Sequence, residues 1–174
     1  MSEREFDVIV FGASGYTGKL VAEYMGKEYG NDESIRWAIA GRNKDKLSSV
    51  KKDLNLNERV SIIEVDSTNK DSLDSMTSSA KCILTTVGPY QLYGSSLVQS
   101  CSENGTDYVD LTGEPGWMYE MINAHQDTAK KSGARIVFSC GFDSIPFDLG
   151  VYFVQQAAQE KYGKPAKHVR GRVK

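Results

Sequence analysis

The sequence is short of nearly everything that would force a special architecture. It holds three cysteines, Cys82, Cys101 and Cys140, odd in number and far apart, with no C-x-x-C pair. A disulfide framework or a zinc site is therefore not expected, and reduced, mostly buried thiols in an intracellular protein are. Its two histidines, His125 and His168, have no metal-ligand partner at useful spacing. Charge of one sign is lacking as well: 21 basic against 23 acidic side chains leave a formal net charge of -2. Nucleic acid or an anionic membrane surface is thus not expected as the main partner. No apolar run approaches the ~20 residues of a bilayer span, so no transmembrane segment is expected. The opening Met1-Ser2-Glu3-Arg4-Glu5 is charged and leads straight into a strand, which does not read as a secretory leader. Internal repeats and low-complexity tracts are missing too.

What is present is an ordinary globular balance, 40% hydrophobic and 25% charged over 174 residues. That suits one domain able to bury a core. Short apolar runs alternate with longer amphipathic stretches. Strands are expected at Phe6–Phe11, Ile35–Ala40, Val60–Val65, Cys82–Val87, Asp107–Leu111 and Arg135–Ser139. Helices are expected from Gly15 to about Tyr29, from an Asn43 cap to about Asn55, at Ser72–Ser78, Ser95–Asn104, Trp117–Ser132 and Ile145 to about Tyr162. In the first helix Leu20, Val21, Tyr24 and Met25 form the apolar stripe. A loop runs from the fourth strand through Tyr93, and Lys167–Lys174 begins a seventh strand. The alternation implies an α/β protein: a Rossmann-type doubly wound parallel sheet of about six strands with helices on both faces. Residues 1–162 read as the dinucleotide-binding domain. Residues 163–174 read as the start of a following substrate domain. The last helix, carrying Leu149, Val151, Tyr152, Phe153 and Val154, is apolar on more than one side, so it is either buried on the sheet or awaits a partner.

The first chemical signal is Gly12-Ala13-Ser14-Gly15-Tyr16-Thr17-Gly18. Three glycines at this spacing arise by chance in roughly one such chain in eight, the false-positive risk of any short motif. Position removes most of that risk, because the motif follows a buried strand and opens a helix. Gly12 permits the tight turn, Gly15 lets a pyrophosphate approach the backbone, and Gly18 lets the helix pack on the sheet. The helix start offers free N–H groups and a positive dipole, and Ser14 and Thr17 can add hydroxyls. A P-loop fails at two places: Gly12 lies one residue too far from Gly18-Lys19, and Leu20 stands where Ser or Thr must hold magnesium.

Past the second strand stands Ala40-Gly41-Arg42, with no acid to bind a ribose 2′-hydroxyl. Arg42 offers a fork suited to a 2′-phosphate, and Lys46 lies one turn on. NADP(H) is therefore the expected cofactor and NAD(H) the alternative. Asp66, ending the third strand, can accept from an adenine amino group or cap the next helix.

With these pieces the sequence resembles the saccharopine dehydrogenase-like oxidoreductases, and more closely the eukaryotic branch grouped with trans-acting enoyl reductases. The resemblance rests on Val10 to Gly18, Ala40-Gly41-Arg42, Val87-Gly88-Pro89-Tyr90 with Tyr93-Gly94, Thr112-Gly113-Glu114, and Gly141 to Gly150. It implies an NADP-binding domain followed by a substrate domain, a link to lipid metabolism, and a small, lipid-like substrate. For the whole protein it implies a cytoplasmic location with lipid-droplet or membrane association, and a homo-oligomer formed through the part beyond this chain.

Three loops lie at the carboxyl ends of the strands, where ligands of this fold bind. In the first, Gly88 allows approach to the nicotinamide half, and Tyr90 or Tyr93 either walls that ring or packs in the loop. In the second, Asp110 and Glu114 serve substrate binding or proton transfer, or else Thr112 or Glu114 simply caps the following helix. In the third, Asp143 and Ser144 either touch ligand or cap a helix that Pro146 continues. The expected cofactor-binding set is Gly12, Ser14, Gly15, Tyr16, Thr17, Gly18, Arg42, Asp66, Val87, Gly88, Pro89 and Tyr90. The expected substrate side is Tyr93, Asp110, Glu114, Asp143 and Ser144. No catalytic acid is evident, since none of the nine tyrosines is followed four residues later by lysine. An NADP-dependent oxidoreductase is the first reading of the function. A nucleotide-sensing or scaffold protein that keeps the fold without turnover is the second.

Overall fold

The structure, a computed structural model, describes residues 4–173. The leader reading of Met1–Glu3 and the last residue of the expected seventh strand, Lys174, lie outside the described residues. The elements run β1 (Phe6–Phe11), α1 (Tyr16–Tyr29), β2 (Trp37–Gly41), α2 (Lys44–Asp53), β3 (Ser61–Glu64), α3 (Lys70–Ser79), β4 (Ala80–Thr85), α4 (Tyr90–Tyr93), α5 (Ser95–Asn104), β5 (Asp107–Val109), α6 (Pro115–Ser132), β6 (Ile136–Val137) and α7 (Ile145–Tyr162). The six strands form one sheet, in the order β3-β2-β1-β4-β5-β6, and every pairing is parallel.

The two central strands read as they pack. Ile9, Val10 and Phe11 of β1 are all buried, as are Trp37 to Ala40 of β2, because parallel strands inside a sheet are covered on both faces. On one face Ala22 and Met25 of α1 and Leu47 of α2 pack against Val10, Trp37 and Ile39. On the other, Leu73 and Met76 of α3, Leu97, Val98 and Cys101 of α5 and Trp117 of α6 pack against Ile9, Phe11 and Ile83. The sheet order reverses after β3, so the chain returns beside β1 with β4. The carboxyl ends of β1 and β4 thus flank a crevice at the switch point of the topology.

Several boundaries differ from the sequence reading. Asn69, not Asp66, caps α3, accepting from the Ser72 N–H at 3.0 Å, so the helix starts at Lys70. Asp66 instead closes a local turn, accepting from the N–H and hydroxyl of Thr68, both at 2.9 Å. The Asn43 cap of α2 forms as expected, accepting from the Lys46 N–H at 2.8 Å. The loop through Tyr93 contains a single helical turn, α4. In α1 the buried residues are Gly18, Ala22 and Met25, while Leu20 and Tyr24 are exposed. Small side chains let the helix lie close, which the apolar stripe did not reveal. Helix α6 begins two residues early, at Pro115, a good first-turn residue. No strand forms over 164–173, because that segment turns back on α7: the Gln155 side chain bonds both the N–H and the carbonyl of Ala166. Of the two readings of α7, the sheet-covering one fails, since no residue in it is buried. Among the described residues no helix is long and apolar enough to cross a membrane.

Candidate functional site

The turn between β1 and α1 is built by backbone hydrogen bonds around a glycine at positive φ. Gly12 sits at φ +93, and its N–H donates to the Ala40 carbonyl at 2.9 Å. A Cβ there would lie 2.7 Å from Thr86 Oγ1 and 2.9 Å from Val87 Cγ2, so the turn is pressed against the end of β4. Gly15 then bonds back to the Gly12 carbonyl at 2.9 Å, and the first helical bond is Lys19 N–H to Gly15 carbonyl, also 2.9 Å. At Gly18 a Cβ would lie 2.1 Å from the Gly12 carbonyl oxygen. Gly15 is the N-cap, and no side chain caps the helix. No side chain therefore takes up the N–H groups at the start of α1, where the helix dipole is positive.

In front of this turn lies a cleft of about 220 Å³. Of the expected residues it gathers Gly12, Ser14, Gly15, Arg42, Val87, Gly88 and Tyr93. Tyr16 and Thr17 are exposed at the helix start beside it, and Gly18 is buried behind it. Phe11, Gly41, Ser67 and Thr86 also line the cleft and were missed. Ser67 and Thr86 stand just beyond the carboxyl ends of β3 and β4, the position that signals ligand contact in this topology. Arg42 is exposed, and its charge reaches the neighbouring Asp66. The Asp66 carboxyl is held below its ordinary range, chiefly by the Thr68 N–H and hydroxyl and to a smaller degree by Arg42.

The remaining expected residues are placed elsewhere. Tyr90 is buried, its ring tilted on Trp117 with centroids 5.5 Å apart. Its hydroxyl donates to the Thr85 carbonyl at 3.3 Å and accepts from the Leu111 N–H at 3.4 Å. Burial pushes the phenol up to about 12, so it holds its proton at neutral pH. Asp110 is buried too. It accepts from the Tyr108 hydroxyl at 2.7 Å and from the N–H groups of Thr112 and Ser139 at 3.1 and 2.8 Å. Burial raises its pKa against those three donors. Glu114 accepts from two backbone N–H groups, those of Tyr90 and Gln91. It stands at the N-cap of α6, yet its side chain makes no cap bond there. Ser144 likewise precedes α7 without a side-chain cap bond, so the expected cap is not made; Asp143 beside it is exposed. Pro89 precedes α4 and does not line the cleft. The thiols of Cys82, Cys101 and Cys140 are free, and burial raises each pKa, that of Cys82 to about 11. Among the described residues no group of three or more His, Cys, Asp and Glu is placed to hold a metal ion.

A doubly wound parallel sheet with an uncapped glycine turn at its switch point defines a dinucleotide-binding domain of the Rossmann class. More particularly, the chain belongs to the saccharopine dehydrogenase NADP-binding domain family, whose model matches residues 8–137. It is 42% identical over 151 residues to the trans-acting enoyl reductase of Mycobacterium leprae, covering 86% of this chain and 35% of that one. To the trans-acting enoyl reductase of Mycobacterium tuberculosis it is 41% identical over 160 residues, covering 91% and 38%. The chain thus spans a little over a third of these relatives. They are bacterial, and nothing in them bears on a eukaryotic grouping. Among solved structures, saccharopine dehydrogenase (L-Glu forming) from Saccharomyces cerevisiae superposes with a TM-score of 0.69 at 17% identity, over 88% of this chain and 32% of that one. The triphenylmethane reductase of Citrobacter sp., solved with NADP(H), gives 0.57 at 16% identity, over 88% and 56%. At such identities the two share the fold.

Proposed function

We propose that the cleft binds NADP(H) and that the chain is the cofactor-binding part of a reductase acting on an acyl, lipid-like substrate. The observation that carries this reading is the pairing of the uncapped glycine turn with Arg42 across one cleft. The N–H groups at the start of α1 suit a pyrophosphate, and Ser14 lies beside them. Arg42, directly after β2 and with no acid in its place, suits the 2′-phosphate that separates NADP from NAD. Val87, Gly88 and Tyr93 line the cleft from the β4 side, where the nicotinamide half belongs. When bound, the nicotinamide supplies the hydride; the chain's residues orient it. The relatives named as enoyl reductases support a carbon–carbon double bond beside a carbonyl as the group reduced. They also weigh against a fold kept only for sensing. The surface that chooses the substrate is proposed to belong to the rest of the longer protein.

Titration of the purified chain with NADPH and with NADH, followed by nicotinamide fluorescence, tests the cofactor assignment. NADPH should bind more tightly. Arg42→Ala should weaken NADPH by about ten- to hundred-fold, the worth of a hydrogen bond to a charged group, and leave NADH nearly unchanged. Failure to bind either nucleotide would overturn the reading, and a preference for NADH that Arg42→Ala leaves intact would overturn the choice of NADP.

A further inference from the structure

The β4 side of the cleft is a short wall, Val87 to Tyr93, held locally by the N–H groups of Leu92 and Tyr93 on the Pro89 carbonyl, both at 3.2 Å, and by Tyr90 packed on Trp117. Helix α4 is one turn long, and Pro89 at its N-cap supplies no side-chain bond. A charged anchor for the wall comes from another loop. Glu114 Oε1 accepts from the Tyr90 N–H at 2.8 Å, and Oε2 accepts from the Gln91 N–H at 2.9 Å. Both carboxylate oxygens are thus engaged by backbone donors, bonds strengthened by the charge they carry. Glu114 is itself held: its N–H donates to Thr112 Oγ1 at 3.2 Å, and the Thr112 N–H donates to Asp110 Oδ1 at 3.1 Å. The same Asp110 oxygen accepts from the Ser139 N–H at 2.8 Å. The loops that follow β4, β5 and β6 are joined in one chain of bonds, with Glu114 at the cleft end. The Arg42 end rests on β2 and the glycine turn, and Glu114 does not touch it.

We infer that Glu114 is a positioning residue, whose carboxylate holds the Val87–Tyr93 wall in the shape that receives the nicotinamide half of the dinucleotide. The inference rests on the reading of the cleft as an NADP(H) site. It assigns Glu114 neither substrate nor proton, and it divides the cleft into two ends that fail separately. Glu114→Gln sets an amide –NH₂ against one backbone N–H; Glu114→Ala removes both acceptors. Each variant is titrated with NADPH and with 2′,5′-ADP, which carries the adenosine end and its 2′-phosphate but no nicotinamide. NADPH should weaken by about ten-fold or more in both variants, while 2′,5′-ADP should stay within about two-fold of the unaltered chain. Retained 2′,5′-ADP binding also reports that the variant is folded. Equal losses of both ligands, as unfolding would give, or no loss of NADPH overturns the inference. An unaltered chain that binds neither ligand overturns the cofactor reading instead. One that binds 2′,5′-ADP while both variants keep full NADPH affinity overturns only the role of Glu114.

Discussion

At Gly18 one hydrogen atom in place of a methyl sets how closely α1 approaches the turn it leaves. The atoms a Cβ would meet are backbone, the Gly12 carbonyl oxygen at 2.1 Å and its carbon at 2.7 Å, and backbone cannot rotate aside as a side chain can. Gly18→Ala should therefore cost on the order of 2–3 kcal/mol, as overpacking does, and displace the donors that face the cleft. A lowered urea midpoint together with weaker NADPH binding is the expected pair of results. Gly116, the second residue of α6, has nothing within 4 Å of its would-be Cβ. There the helical preference of alanine acts alone, and Gly116→Ala should raise stability by about 0.5–1 kcal/mol. If the two substitutions moved the midpoint in the same direction, the close approach at Gly18 would not be what excludes a side chain. Both effects depend on surroundings that the sequence motif does not describe, although the motif did single out Gly18.

At the scale of elements, the amino ends of three strands are tied at Asp7 in β1. Its Oδ1 lies 2.7 Å from Lys81 Nζ of β4, and its Oδ2 accepts from the N–H of Arg36, just before β2, at 2.8 Å. The bond to Lys81 is the main reason the Asp7 carboxyl sits below its ordinary value; burial opposes it, and the Arg36 N–H assists. A carboxyl whose folded pKa is depressed adds stability above its unfolded value, near 3.9, and loses it as pH falls through the folded one. Asp7→Asn should thus be less stable than the unaltered chain at neutral pH, and the gap should close below about pH 4. Urea midpoints measured down the acid limb check this; a gap that stays constant into acid would mean the ties contribute no ionic part. The strands themselves were legible because Val8–Phe11 of β1 and Trp37–Ala40 of β2 are continuous apolar runs. The start of α3 and the turn of α4 were not, since Asn69 and Asp66 are equally good caps by type, and a single turn leaves no periodicity to read.

At the scale of the whole molecule, stability is concentrated at the centre of the sheet. Ile9, Val10 and Ile83 are completely covered, whereas α7 buries no residue and lies beyond the family match at residues 8–137. Hydrogen exchange followed by mass spectrometry should find β1 and β4 the most protected segments and α7 the earliest to exchange. Slower exchange in α7 than in β1 would show that the helix is held by more than the contacts described. Phe147, Leu149 and Phe153 remain exposed along it, an apolar character visible in the sequence.

By itself the sequence determined the alternation of strands and helices, the glycine turn and the cationic residue after β2. Each of these is written locally, in the period of apolar residues and in glycines at fixed offsets. Only the tertiary structure decided where the side chains of the three carboxyl-end loops go. Tyr90 and Tyr93 belong to the same helical turn, yet one is buried on Trp117 and the other lines the cleft. Asp110 and Glu114 look alike as loop carboxylates, but one closes a buried network and the other anchors the cleft wall. Three of their partners, Ser139 for Asp110 and Tyr90 and Gln91 for Glu114, lie more than twenty residues away along the chain. A buried polar group takes whichever donor the fold brings within reach, and that proximity is set by the packing of distant strands.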